Sequence, residues 1–87
     1  DLARSLTVWA LAGYEGRQDL RGALRATGEA VEIYRRLVTA TPARFLSQLR
    51  YVLGLQANLL SKLGRPVEAR DIRNWLAAND PASRSQK

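Results

Sequence analysis

The sequence contains no cysteine and no histidine among its 87 residues. These absences exclude disulfide frameworks, thiol nucleophiles, zinc sites built on Cys or His, and imidazole general bases. A serine or threonine would lack its ordinary base, and no Gly-rich phosphate loop, nucleophile elbow or calcium-binding loop occurs. We therefore predict a protein that is not an enzyme, with no catalytic residues, no cofactor and no metal site.

The sequence also lacks a hydrophobic run long enough to cross a membrane. The longest nearly uncharged stretch, residues 5–14, is much shorter than the ~20 residues that a spanning helix needs. No succession of basic, apolar and small residues resembles a signal peptide. We therefore expect a cytoplasmic protein. Because methionine is absent and the chain begins at Asp1, we also expect a fragment of a longer protein.

The charge is unbalanced, with 14 Lys and Arg against 8 Asp and Glu, a net charge of +6 at pH 7. The basic residues are spread along the chain and form no run longer than Arg35-Arg36. Such spacing is typical of solvated helix surfaces, and it supplies no element that reads a nucleic-acid groove. A basic nucleic-acid-binding domain is therefore the less favoured alternative. Two couples of carboxylates share a helix face, Glu29 with Glu32 and Glu68 with Asp71. Arginines lie three or four residues from them, so we expect these carboxylates to form surface ion pairs with arginine and not to act as catalytic groups.

Prolines and glycines divide the sequence into four segments, each with an apolar period near 3.6, which predicts four helices and an all-α fold. Asp19 is the predicted cap of the second helix, which ends before Thr41-Pro42. Thr41 is the predicted N-cap of a long third helix that begins at Pro42 and ends at a left-handed Gly64. The fourth helix restarts after Arg65-Pro66 and stops at residues 79–81.

Apolar stripes on these helices indicate which side faces the core. The second helix presents Leu20, Ala23, Leu24, Thr27, Ala30, Val31, Tyr34, Leu37 and Val38, the third Phe45, Leu46, Leu49, Val52, Leu53, Ala57, Leu60 and Leu63, and the fourth Val67, Ala69, Ile72 and Leu76. Trp9 and Trp75 are expected in the core, not as cofactor platforms.

The first helix is apolar almost all the way round, so a contact on one face cannot bury all of its apolar side chains. Leu2, Leu6, Trp9, Ala10 and Gly13 form the stripe expected to pack on the second helix. Val8, Leu11 and Ala12 are left on other faces, where a neighbour or a ligand would cover them.

The chain is self-similar at a shift of about 47 residues, a period found in helical arrays. Each copy consists of a helix, a Gly-Arg turn and a second helix. The shift pairs Leu2 with Leu49, Leu6 with Leu53, Val8 with Leu55, and Ala10 with Ala57.

Several strings carry a family resemblance: DLA at 1–3, ALRATGEAVEIYRRL at 23–37, Pro42, FL at 45–46 and GRPVEAR at 64–70. Residues 1–78 resemble the tetratricopeptide repeats of actinobacterial proteins, in the lengthened variety. The resemblance implies two stacked antiparallel helical hairpins, a fragment of a right-handed solenoid. We expect one domain over 1–79, with repeats at about 1–41 and 42–79, and a disordered tail or linker at 80–87. Arg70 and Arg73 replace Leu24 and Thr27 of the first copy, so the fourth helix is expected to be terminal and solvent-facing.

The resemblance also implies a function, because the first helix of each hairpin in that family lines a concave groove. It predicts a non-enzymatic protein–protein interaction module, part of a larger signalling or regulatory protein, that binds a peptide or partner helix in the groove. A ligand bearing a carboxylate would suit this groove. An alternative is homo-oligomerisation through helix one, with Val8, Trp9 and Leu11 in the seam. The predicted groove residues are Arg4, Thr7, Val8, Leu11, Tyr14, Tyr51, Leu55, Asn58 and Lys62.

Overall fold

The computed structural model describes residues 2–16 and 19–79. These form four helices: α1 (Leu2–Gly16), α2 (Leu20–Ala40), α3 (Pro42–Lys62) and α4 (Pro66–Ala78). No strand occurs in this part of the chain, so the all-α prediction is confirmed. None of these helices is both long and apolar enough to cross a membrane. The expected tail at 80–87 and Arg17 of the first turn lie outside the described residues.

The ends of α2 and the start of α3 follow local signals. The Asp19 carboxylate accepts a hydrogen bond from the Gly22 N–H at 2.9 Å, which satisfies a first-turn amide that has no partner within the helix. Thr41 occupies the N-cap position of α3, but its side chain makes no capping hydrogen bond. Its carbonyl oxygen instead accepts from the Arg44 N–H at 3.2 Å, so that amide already has a partner.

The turn from α3 to α4 depends on Gly64, whose φ of +78° is the predicted left-handed conformation. The Gly64 and Arg65 amides donate to the Ser61 and Leu60 carbonyls at 3.2 and 2.8 Å, which closes the end of α3. Arg65 then forms a two-pronged ion pair with Glu68 at 2.7 and 2.8 Å. Both side chains are about half exposed, so this expected pair contributes under about 1 kcal/mol.

Consecutive helices pack side by side, as short connections require. The α2 helix contacts both α1 and α3, α4 packs on α3, and α1 reaches α3 over a smaller area. Alanines that are fully buried at the α1–α2 and α3–α4 contacts let the helix backbones approach closely. The buried hydroxyls of Thr7 and Thr27 donate to the carbonyls of Ala3 and Leu24 at 2.8 and 2.6 Å, so burying them leaves no donor unpaired.

The predicted inner stripe of α1 is wrong at two positions. Leu2 and Trp9 are 66% and 53% exposed, whereas Ala3, Thr7 and Ala10 are buried. The helix is turned by about one residue from the expected register. Small side chains give the closer approach to α2, and because α1 is apolar on most sides, hydrophobic periodicity cannot select one face.

Two further predictions for the core are wrong, both on α4. Val67 and Trp75 are 60% and 40% exposed, so neither tryptophan of the chain belongs to the core. The α4 helix packs mainly against α3, which covers only the side that carries Ala69, Ile72 and Leu76. The expectation that the last helix faces solvent agrees with this exposure.

Candidate binding groove

An open groove of about 640 Å³ lies between α1 and α3. Helix α1 contributes three residues, α3 contributes six, and the buried Tyr34 of α2 reaches it between them. The lining residues are Arg4, Thr7, Val8, Tyr34, Arg44, Phe45, Ser47, Gln48, Tyr51 and Val52.

The groove combines cationic, aromatic and polar side chains. Tyr51 is 54% exposed. The Arg44 guanidinium lies 5.3 Å from the centre of the Phe45 ring, a distance at which a cation and an aromatic face attract. Ser47 donates its hydroxyl to the Gln48 side-chain oxygen at 3.1 Å. Among the described residues that line the groove there is no carboxylate, so its charge is positive.

Four of the nine predicted groove residues lie in this groove: Arg4, Thr7, Val8 and Tyr51. Val8 and Tyr51 present large exposed side chains to a ligand. Thr7 is nine-tenths buried, and its hydroxyl already donates to the Ala3 carbonyl. Thr7 therefore shapes the wall more than it offers a hydrogen bond.

Three predicted residues, Leu11, Tyr14 and Leu55, pack into the core between α1, α2 and α3. Leu55 is only 6% exposed, so it packs α3 against α1 and α2 and offers almost no surface to a ligand. The half-buried Tyr14 ring lies 5.8 Å from the Lys62 ammonium, which links α1 to the end of α3.

Asn58 belongs to the contact between α3 and α4. Its side-chain oxygen accepts a hydrogen bond from the Arg73 guanidinium at 3.2 Å. Tyr51, Asn58 and Lys62 are all exposed, and spacings of seven and four residues put them along one side of α3. They share a side of the helix, and Tyr51 alone of the three reaches the groove.

The sequence analysis missed Arg44, Ser47 and Gln48 as groove residues. It placed Tyr34, Phe45 and Val52 only in the core. A usable signal existed, because residues 44, 48, 51 and 52 recur at spacings of three and four around the predicted Tyr51. The contribution of Tyr34 carried no such signal, since it depends on how α2 sits beneath α1 and α3.

Comparison with protein-family models, curated proteins and solved structures found no match to this chain. The function is therefore argued from the groove itself.

Proposed function

We propose that this chain is a non-enzymatic interaction module that binds an extended, acidic peptide segment in the groove between α1 and α3. The proposal rests on one observation: Arg44, the exposed Tyr51 ring and the Gln48 amide line the same groove. None of the described residues that line it is a carboxylate. The resemblance to tetratricopeptide repeats supports it, because that family binds peptides between the first helices of its hairpins. The proposal includes the cytoplasmic location expected from the sequence.

The chemistry of the groove matches such a ligand step by step. Acidic side chains would face Arg44, so that opposite charges meet, and the net charge of +6 would attract the ligand from a distance. Apolar side chains of the peptide would pack on Val8 and Tyr51, the two large exposed groups. Gln48 can bond to main-chain amides, which gives affinity with little dependence on sequence.

The test uses fluorescein-labelled octapeptides in which Glu alternates with Leu, and a matched series in which Lys replaces Glu. The acidic peptide should bind the 87-residue chain and the basic one should not. Arg44→Glu should weaken binding about tenfold or more, because a favourable contact becomes a repulsive one. Arg70→Glu on α4 makes the same change of charge outside the groove and should alter the affinity less than about twofold at physiological salt, where screening is strong.

Equal weakening by Arg44→Glu and Arg70→Glu would contradict the groove assignment, since only the overall charge would then matter. A single-stranded oligonucleotide provides the comparison with nucleic-acid binding. If it bound more tightly than the acidic peptide and its affinity fell equally in both variants, the chain would be a non-specific polyanion binder.

A further inference from the structure

A second surface, on the side of α1 away from the core, is apolar and uncovered. We call it the outer face of α1 and define it by Leu2, Ser5, Val8, Trp9 and Ala12. All five residues are exposed, and four of them, joined by Arg4, line a shallow depression of about 530 Å³. None of the five is charged, and no other described helix packs on them.

The internal repeat shows what kind of surface this is. The shift of 47 residues places four of the five positions on residues of α3 that are at most 6% exposed. In α3 the residues at these positions pack against α1 and α2. The same positions are thus buried in α3 and exposed in α1. The outer face of α1 therefore has the character of a surface that packs against another helix, but no described helix covers it. The pairs are Leu2 with Leu49, Ser5 with Val52, Val8 with Leu55, and Ala12 with Leu59.

The other end of the chain does not offer a matching surface. On α4 the exposed Val67 and Trp75 are separated by Asp71, and Arg70 and Arg73 lie on the same helix. If copies stacked head to tail, these charges would have to be desolvated against the apolar face of α1, which is costly. The five residues that define the outer face of another copy are uncharged and match in character. Arg4, which also lines the depression, is exposed and belongs to the groove as well, so its guanidinium can stay in water while its stem packs.

We propose that two copies of this chain pair through the outer faces of α1 in a twofold-symmetric dimer. A symmetric contact uses the same patch twice, so the apolar centre of one copy meets the apolar centre of the other. If the exposed parts of Leu2, Val8 and Trp9 become fully covered, each copy buries roughly 350 Å², and the pair roughly 700 Å². That is below the ~1,200 Å² of standard interfaces, so the dimer is weak and depends on concentration.

Salt distinguishes this association from peptide binding. Each copy carries a net charge of +6, so two copies repel each other, and screening by salt should strengthen the dimer. The same screening should weaken the attraction between the groove and an acidic peptide. The two proposals therefore predict opposite trends. Val8 lines both surfaces, so a second copy and a peptide compete for it, and peptide binding is measured at protein concentrations where the chain is monomeric. Either proposal can then fail while the other stands.

Sedimentation equilibrium of the 87-residue chain tests the proposal between about 10 µM and 2 mM, at about 50 and 500 mM NaCl. The apparent mass should rise from 9.7 kDa toward twice that value, at lower protein concentration in the higher salt. Trp9→Glu should raise the dissociation constant at least about tenfold, because it puts a charge in the centre of the contact. Trp75→Glu is the matched control on α4 and should leave it unchanged within about twofold.

Both tryptophans are substantially exposed, so both variants should fold, which circular dichroism verifies. In a Trp75→Phe variant the fluorescence of Trp9 should shift to shorter wavelength as the dimer forms, because the ring leaves water. A chain that stays monomeric at every protein and salt concentration would overturn the proposal, and the outer face of α1 would then be a contact for a different protein. Equal loss of dimer in Trp9→Glu and Trp75→Glu would overturn the assignment to α1. Trp9→Glu should still bind the acidic peptide like the unaltered chain.

Discussion

Replacing Arg50 by Met should release the end of α4. In the structure the Arg50 Nη1 of α3 donates to the carbonyls of Leu76 and Asn79 at 2.8 and 2.9 Å. Carbonyls in the last turn of a helix lack partners within the helix and carry the negative end of its dipole. A half-buried guanidinium is thus placed where a cation stabilises α4 most. Methionine retains most of the aliphatic stem but neither hydrogen bond.

The size of the effect can be worked out from these two bonds. A hydrogen bond from a charged donor contributes about 1.5–3 kcal/mol. Both bonds share one nitrogen and Arg50 is partly exposed, so the values do not add, and we expect a loss of about 2–3 kcal/mol in total. Chains of 87 residues have about 4–13 kcal/mol of stability, so Tm should fall by about 10–20 °C.

Thermal melting by circular dichroism measures the loss in Arg50→Met, and hydrogen exchange locates it. Because α4 packs mainly on α3, its amides should lose more protection than those of α2, which packs between two helices. Arg70→Met, exposed on α4, is the control and should change stability by less than about 0.5 kcal/mol. If Arg50→Met melted within about 2 °C of the unaltered chain, the inferred role of Arg50 would be refuted.

Two matched pairs of substitutions test the core and the turn by thermal or urea unfolding. Leu59→Ala, at a fully buried side chain, should lose about 2–5 kcal/mol, whereas Val67→Ala, at an exposed one, should lose under about 1 kcal/mol. Similar losses would contradict the assigned burial. Gly64→Ala should lose about 1–2 kcal/mol because its φ is +78°, whereas Gly54→Ala, inside α3 with open space around it, should gain about 0.5–1 kcal/mol. A gain at both glycines would show that Gly64 does not need its left-handed conformation.

The helix boundaries could be predicted because each depends on a few neighbouring residues. Asp19 supplies a hydrogen-bond acceptor within three residues of the amide that it caps. Pro42 and Pro66 are tolerated only at helix starts, and Gly64 accepts a backbone conformation that other residues resist. None of these effects requires knowledge of distant parts of the chain.

The groove was predicted only in part, because it is built from residues far apart in sequence. The resemblance to tetratricopeptide repeats placed Tyr51 and Val8 in the groove, but whether Leu55 reaches a ligand depends on how closely α3 lies against α1 and α2. Tyr34 belongs to the groove only because α2 passes beneath two other helices. Arg50 shows the same limit, since its partners lie 26 and 29 residues away.

The amino-acid sequence alone determined that four helices form, where most of them begin and end, and which sides of α2 and α3 are buried, because capping, proline and glycine geometry and a clear hydrophobic stripe act locally. Tertiary structure decided the orientation of α1, the exposure of Trp9 and Trp75, and the residues that meet in the groove. A helix that is apolar on most sides has no single preferred face until another helix packs against it. In α1 the side with the small residues packs against α2, because small side chains let the two helix backbones approach closely.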